Sequence, residues 1–226
     1  MTTRLTAINL RAAEEGEADK VLTLFSLEKG LLRVRARGVK KANARLRFAA
    51  LPFCFGVYTV TEARNPLLCG CEPEEFFSEL REDLPRYHAA AAAAELCVLL
   101  LRRDQPDPAL FALLLRALKE LAFEPAPLSA LIRFFLGALE AEGYSFEDGE
   151  AGEKLRFSES GGFNAFQGLP VSPGVIRALS AARAGEPLPP GEAADSLRFL
   201  GNVVYLLTGE AMTSLKGLLA LTEEEN

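Results

Sequence analysis

Apolar and polar side chains alternate with a period of two along the N-terminal third of the chain. Between residues 32 and 37, Leu32, Val34 and Ala36 alternate with three arginines. This alternation predicts a strand with one buried face, because a helix would scatter the arginines around its axis. The same pattern recurs at residues 4–11, 20–27, 53–61 and 67–71. Five short strands separated by turn-forming segments are typical of a small barrel such as an OB-fold.

The rest of the chain follows the helical period instead. In the segment LSALIRFFLGALEAEG the apolar residues recur at spacings of three and four, which places them on one face of a helix ending at Gly143. Asp107 before Pro108 and Ser172 before Pro173 are typical helix N-caps. Helices are predicted at residues 74–84, 86–103, 108–123, 128–143, 173–185, 192–207 and 210–221.

These patterns predict an α+β multidomain protein. An N-terminal five-stranded OB-fold barrel, residues 1–72, is followed by an all-helical C-terminal domain, residues 73–226. The boundary is placed in the segment CGCEPEEFF, where the period and the charge both change. Residues 144–168 are rich in Gly, Ser and acidic side chains and fit neither period, so an irregular lobe is predicted there.

Charge is divided unevenly between these two parts. The 226-residue chain has a net charge of -6 at pH 7, yet residues 1–71 contain 12 basic and 6 acidic residues, against 13 and 25 in residues 72–226. Within the positive part, residues 32–47, LRVRARGVKKANARLR, contain seven basic side chains and no acid. Uncompensated like charges destabilise a fold unless a polyanion neutralises them. We therefore predict that this stretch binds a polyanion, and nucleic acid is the first candidate.

Both the strand and the loop after it supply residues to the predicted surface. Arginines on the strand would follow phosphates, and an aromatic side chain would stack with bases. Tyr58 is predicted for stacking, because alternation places it opposite Phe53 and Phe55 and one face must fill the core. The predicted DNA-binding residues are Arg33, Arg35, Arg37, Lys40, Lys41, Arg45, Arg47 and Tyr58. The alternative is a protein-interaction adaptor whose basic barrel face docks an acidic protein partner.

The chain lacks the residue groupings of common enzymes and metal sites. Its one histidine, His88, stands alone, and no phosphate-binding loop, nucleophile elbow or zinc-protease motif is present. The four cysteines lack the paired spacing of a structural zinc site. We therefore predict a protein that is not an enzyme and holds no cofactor or metal.

The location of the protein is predicted from two segments. The N-terminal MTTRLTAINLRAAEEGEADK lacks the apolar core of a signal peptide. The longest apolar run, residues 89–101, is interrupted by Glu95 and is too short to cross a bilayer. A cytoplasmic protein that does not insert into membranes is expected.

Several segments occur in an order that suggests a family. They are GEADKVLTLFSLEKGLLRVRARGVKK, LPFCFGVYTVTEARNPLL, an alanine-rich helix, PDPALFALLLRALKEL and LIRFFLGALEAEGY. In this order the chain resembles the RecO family of bacterial DNA repair and recombination proteins over nearly its whole length, although no single motif is diagnostic. The resemblance implies an OB-fold, a helical C-terminal domain, binding of single- and double-stranded DNA, and strand annealing. It also implies partnership with RecR and single-stranded-DNA-binding protein, so that RecA is loaded on gapped DNA.

The chain departs from this family in the segment after Gly143. Many members carry a four-cysteine zinc site there, whereas residues 144–168 contain no cysteine. We therefore expect no zinc, with the lobe held together by packing of Phe146, Leu155, Phe157, Phe163 and Phe166. The acidic helical part is expected to contact proteins, and Arg133 with Phe134 are the predicted partner-binding residues for the acidic tail of single-stranded-DNA-binding protein.

Overall fold

The N-terminal part of the chain is a five-stranded antiparallel sheet. The computed structural model describes residues 1–102, 104–146, 157–159 and 171–224. The strands are β1 Thr2–Glu15, β2 Asp19–Ser26, β3 Gly30–Ala36, β4 Phe55–Thr61 and β5 Leu68–Glu75. They lie in the order β3-β2-β1-β4-β5, and a short 3₁₀ helix, Phe48–Ala50, lies between β3 and β4.

The two edge strands of this sheet meet and close it into a barrel. Arg35 of β3 forms a parallel bridge with Leu67, next to the start of β5. The amide nitrogen of Arg35 donates a hydrogen bond to the carbonyl oxygen of Pro66 at 2.9 Å. A five-stranded, partly open barrel with this order is the OB-fold architecture. The predicted fold of the N-terminal part is confirmed.

Helices make up most of the remaining described residues. They are α1 Glu79–Glu82, α2 Leu84–Leu100, α3 Pro108–Phe123, α4 Pro127–Ala141, α5 Pro173–Arg183, α6 Pro190–Thr208 and α7 Thr213–Glu224. The predicted caps are confirmed, since the side chains of Asp107 and Ser172 accept hydrogen bonds from the amides of Leu110 and Val175. Among the described residues, no helix has both the length and the apolar character needed to cross a membrane.

The structure differs from the predicted elements around residue 74. The helix predicted from Glu74 is wrong at its beginning, because β5 continues to Glu75, which pairs with Phe55 of β4. Backbone pairing with β4 therefore outweighs the helical pattern of the side chains there, and only the four residues of α1 become helical. As a result, β5 runs across residue 72, where the sequence placed the end of the first domain.

Part of the predicted irregular lobe is a small antiparallel hairpin. It pairs β6, Tyr144–Phe146, with β7, Phe157–Glu159. The other residues of the predicted lobe lie outside those the structure describes. The same is true of the side chains of Phe146, Leu155, Phe157, Phe163 and Phe166, which were expected to pack together, and that expectation stays a prediction.

Residues 7–10 of β1 and 22–26 of β2 are buried on both faces of the sheet. Leu5 and Ala7 of β1 point into the barrel, while Ile8 and Leu10 belong to the core that the barrel shares with the helices. In β2, Leu24 faces the barrel interior and Phe25 faces the helices. The period-two pattern predicted only one buried face per strand. The second face is buried because the helical part packs against it.

Aromatic side chains fill the junction between barrel and helices. The ring of Phe111 on α3 meets Phe25 at 5.2 Å and Phe55 at 6.3 Å between ring centroids, in edge-to-face contacts. Phe53 meets Tyr87 of α2 in the same way at 5.6 Å. Edge-to-face aromatic pairs add about 0.5–1.5 kcal/mol each to the stabilisation from burial. The two parts of the chain therefore share one continuous apolar core.

We expect Gly30→Ala to destabilise the protein strongly. Gly30 has φ +68°, and a Cβ there would overlap the carbonyl oxygen of Gln105 in the segment before α3. Gly16 is the matched control, with φ +67° but no atom within 4 Å of its Cβ position. A non-glycine residue with positive φ costs about 1–2 kcal/mol. In urea unfolding, Gly16→Ala should lower the free energy of unfolding by about that much. Gly30→Ala should lower it by at least about 2 kcal/mol more. Equal losses would show that the contact with Gln105 is unimportant.

Candidate nucleic-acid interface

The predicted alternation of β3 is confirmed. Arg33 and Arg35 are exposed on the outer face of the barrel, while Val34 and Ala36 are buried inside it. Arg37 follows the end of the strand and is exposed in a turn. The first two arginines therefore share one face because a strand turns successive side chains to opposite sides.

A groove of about 1290 Å³ runs along this face. Its floor includes Thr23 of β2 and Leu32 of β3, and one wall is the β4–β5 loop, residues 61–66. The other wall comes from the helical part, through Val98, Leu101 and Asp104. In OB-folds, the face of strands 2 and 3 together with the loop between strands 4 and 5 is the surface that binds oligonucleotides. The groove therefore occupies the nucleic-acid position of the fold.

Basic side chains outnumber acidic ones around the groove. The basic lining residues are Arg11, Lys29, Arg33, Arg35 and Arg64, and the acidic ones are Glu15, Glu62 and Asp104. Sequence reasoning missed Arg11, Lys29 and Arg64, because they lie on three separate elements. The sequence contained a signal for Lys29 and Arg64, since these residues lie in the turn segments LEKG and EARNP that flank predicted strands.

The basic stretch is less isolated than its sequence indicates. The Nε atom of Arg35 lies 2.7 Å from an oxygen of Glu15, and its guanidinium also lies 3.2 Å from Asp19. Lys40 forms an ion pair of 3.0 Å with Glu14. The expectation of uncompensated charge is therefore wrong for two of the seven residues. The β1–β2 hairpin brings these acids to the stretch, although they are distant in sequence.

Two acids of the hairpin, Asp19 and Glu14, are held in their charged form. The pKa of Asp19 is lowered because its carboxylate accepts a hydrogen bond from the amide of Gly38, 2.8 Å away, and faces Arg35. The pKa of Glu14 is lowered by its contact with the Lys40 ammonium group. These carboxylates therefore remain charged at neutral pH and reduce the positive field of the stretch.

The remaining predicted cations lie outside the groove. No residue between 36 and 59 is among those lining the groove, so Arg37, Lys41, Arg45 and Arg47 do not contribute to it. All four are exposed. They occupy consecutive turns that connect β3 to the 3₁₀ helix. The predicted DNA-binding residues therefore lie in two separate places, the groove and the turns that follow β3.

Tyr58 was predicted as a stacking residue, and that prediction is wrong. Its side chain is fully buried inside the barrel. Its hydroxyl donates to the carbonyl oxygens of Ala49 at 3.2 Å and Cys54 at 3.1 Å, and burial raises its pKa. The prediction assumed that β4 has one free face, but one face fills the barrel and Phe55 on the other packs against the helices.

Aliphatic side chains occupy the place of aromatic ones in the groove. None of the described residues that line it is aromatic; its apolar surface comes from residues such as Leu31, Leu32 and Pro66. Such a surface offers bases apolar contact without ring stacking. A nucleic acid bound there would depend on phosphate contacts more than in an OB-fold with exposed aromatic rings.

The predicted partner-binding pair lies between α3, α4 and α5. Phe134 is buried, and Arg133 forms ion pairs with Glu120 at 2.8 Å and Glu124 at 3.6 Å. Both side chains line a cavity of about 190 Å³ together with Arg116 and Arg183. Arg133 therefore stabilises the contact between α3 and α4, and its role in binding a partner stays a prediction.

No metal centre is formed by the part of the chain that the structure describes. That part contains no cluster of three or more His, Cys, Asp or Glu side chains able to hold a metal. Cys54, Cys69, Cys71 and Cys97 are free, and Cys54 and Cys97 are buried.

Comparisons with known proteins agree with this architecture. Residues 1–67 match the family model "Recombination protein O N terminal", and residues 81–147 match "Recombination protein O C terminal". The "DNA repair protein RecO" of Myxococcus xanthus is 32% identical over 203 residues, which cover 81% of this chain and 83% of that protein. The chain belongs to the RecO family.

Other RecO relatives align over a shorter region. The RecO protein of Desulforamulus reducens is 38% identical over 120 residues, covering 53% of this chain and 47% of the relative. The RecO protein of Anaeromyxobacter sp. strain K is 38% identical over 143 residues, covering 62% of this chain and 56% of the relative. The chain thus spans about half the length of these RecO relatives.

For this RecO-family chain, we expect Tyr58→Phe to lower stability. The substitution removes the hydroxyl donor, while the carbonyl oxygens of Ala49 and Cys54 keep their hydrogen bonds from Asn9, so the loss is that of one buried hydrogen bond, about 0.5–1.5 kcal/mol. Tyr205→Phe is the control, because Tyr205 is 53% exposed and should change the free energy of unfolding by less than about 0.5 kcal/mol. Both are measured by urea unfolding. Equal, small effects would mean that the Tyr58 hydroxyl is not held in the core.

We expect Glu15→Gln to strengthen oligonucleotide binding. It removes the carboxylate nearest to Arg35, so affinity should rise several-fold and the log–log salt slope should steepen by about 0.7, the value of one phosphate contact on a single strand. Glu72→Gln changes the net charge equally, but Glu72 pairs with Arg4 at 2.8 Å and is not a groove residue. Fluorescence anisotropy of a labelled oligonucleotide measures the affinity and the salt slope of both variants. If both variants gain equally, net charge explains the effect and the groove does not.

Proposed function

We propose that this chain acts in recombinational DNA repair as a DNA-binding mediator that is not an enzyme. The observation that carries the proposal is the basic groove on the face of β2 and β3. The relatives it resembles are named as DNA repair proteins, which supports DNA as the polyanion. Binding single- and double-stranded DNA requires no bond to be made or broken, so no nucleophile or general base has to be found.

The groove favours a flexible strand. Arg33 and Arg64 approach from the strand floor and from the β4–β5 loop, so cations are present on two sides of the same channel. A single strand can follow such a channel with its phosphates on the arginines and its bases against the aliphatic surface of Leu31 and Leu32. Duplex DNA would be held through its phosphates alone.

Phosphate neutralisation links binding to annealing. Complementary strands repel each other through their backbones, and arginine contacts release counterions and reduce this repulsion. We propose that the protein anneals complementary strands in this way and helps to load a recombinase on gapped DNA.

The helical part is proposed to contact proteins. Residues 72–226 contain 13 basic and 25 acidic residues, so this part repels DNA and leaves its surface to other partners. RecR and single-stranded-DNA-binding protein are the proposed partners, with the surroundings of Arg133 and Phe134 as the proposed contact. The first domain is proposed to end after Glu75, where β5 ends.

Charge removal in the groove tests the proposal. Arg33→Gln with Arg64→Gln should weaken binding of a labelled single strand and reduce the magnitude of the log–log salt slope by about 1.4, or ~0.7 for each contact. Arg177→Gln with Lys216→Gln is the control, because both residues are exposed on helices and the charge change is the same. Anisotropy is measured at two or more salt concentrations.

Two outcomes would contradict the proposal. If both double variants retain the wild-type slope, the groove does not bind DNA. If wild-type binding is weak and an acidic protein binds the same groove tightly, the adaptor function predicted as the alternative is correct.

A further inference from the structure

Two adjacent acids of β1, Glu14 and Glu15, contact basic residues that belong to two different surfaces. Glu14 and Glu15 are neighbours near the end of β1, and successive side chains of a strand point to opposite faces. Glu15 lines the groove and lies 2.7 Å from Arg35. Glu14 pairs with Lys40 at 3.0 Å, in the loop that follows β3. The groove and this loop therefore lie on opposite faces of the β1–β2 hairpin.

Three of the five cations in this loop, Lys41, Arg45 and Arg47, form what we call the loop surface; Arg37 and Lys40 are the other two. All three are exposed, and within the described part of the chain none forms an ion pair. Five cations line the groove, yet none of the loop surface is among them. The loop surface is therefore a separate site of positive charge.

The loop surface is held in place by the barrel. Successive backbone hydrogen bonds join Lys41 to Gly38, Ala44 to Lys41, and Arg47 to Ala44. Leu46, between two of the cations, packs against the apolar interior of the barrel. A loop anchored in this way presents its cations in a fixed arrangement and loses little conformational freedom on binding.

The chemistry of the loop surface selects a phosphate backbone. Its residues line none of the cavities at the groove, beside Arg133 or beside His88. Cations on an open surface contact phosphates irrespective of base sequence. A second strand bound there would keep its bases free to pair.

We infer that the loop surface binds the backbone of a second DNA strand while the groove holds the first. This inference rests on the proposed function. Two strands bound on opposite faces of one hairpin would both have their phosphate charge neutralised, which favours pairing between them. The loop surface thus adds a second binding site to the groove.

Counting bound strands tests the inference. The full chain is mixed with short, non-complementary oligodeoxythymidine, and the number of strands per chain is read by native mass spectrometry. The wild type should hold up to two strands. Lys41→Gln with Arg45→Gln and Arg47→Gln should hold one, with the salt slope of the second binding step reduced by about 2. Lys119→Gln with Arg177→Gln and Lys216→Gln changes the net charge equally on the helices and should still hold two.

A second variant tests the same site by strengthening it. Glu14→Gln frees Lys40 beside the loop surface, so it should tighten the second binding step several-fold and leave the first unchanged. The inference is overturned if the wild type holds only one strand, or if the loop variant still holds two at the same concentration. Binding of no strand by the wild type would instead refute the proposed function itself.

Discussion

Burial of residues 7–10 of β1 and 22–26 of β2 on both faces is the constraint on which the rest of the structure depends. The inner face forms the barrel interior, and the outer face carries Ile8, Leu10 and Phe25 into a core shared with the helices. Burying a large apolar side chain contributes about 1.5–3 kcal/mol, so the barrel cannot separate from the helices without a large loss of stability. The groove has a wall from the helical part because this contact places Val98 of α2 beside it.

Electrostatics at the tip of the β1–β2 hairpin follow from the same arrangement. The hairpin that is covered on its outer face near Phe25 extends beyond the helices at its tip, where Asp19 and its neighbouring glutamates meet basic side chains. Strand pairing therefore decides which cations are neutralised and which remain available. The charge of a basic segment in a sequence is therefore only an upper limit on what that segment itself contributes to the folded surface.

Local patterns predicted the elements well, and long-range contacts explain what they missed. Alternation identified β3 with the shared face of Arg33 and Arg35, and Asp107 correctly marked the start of α3. The burial of Tyr58 could not be predicted, because a period of two does not reveal whether a second layer covers the other face. The groove residues Arg11 and Arg64 are brought together only by the closure of the barrel.

The wall formed by Val98, Leu101 and Asp104 couples the two parts of the protein mechanically. These residues belong to α2 and the segment after it, while the opposite wall belongs to the barrel. Groove width is therefore set by helix packing rather than by the barrel alone. A protein that shifts α2 on binding would widen or narrow the groove and so change strand affinity without touching the strand.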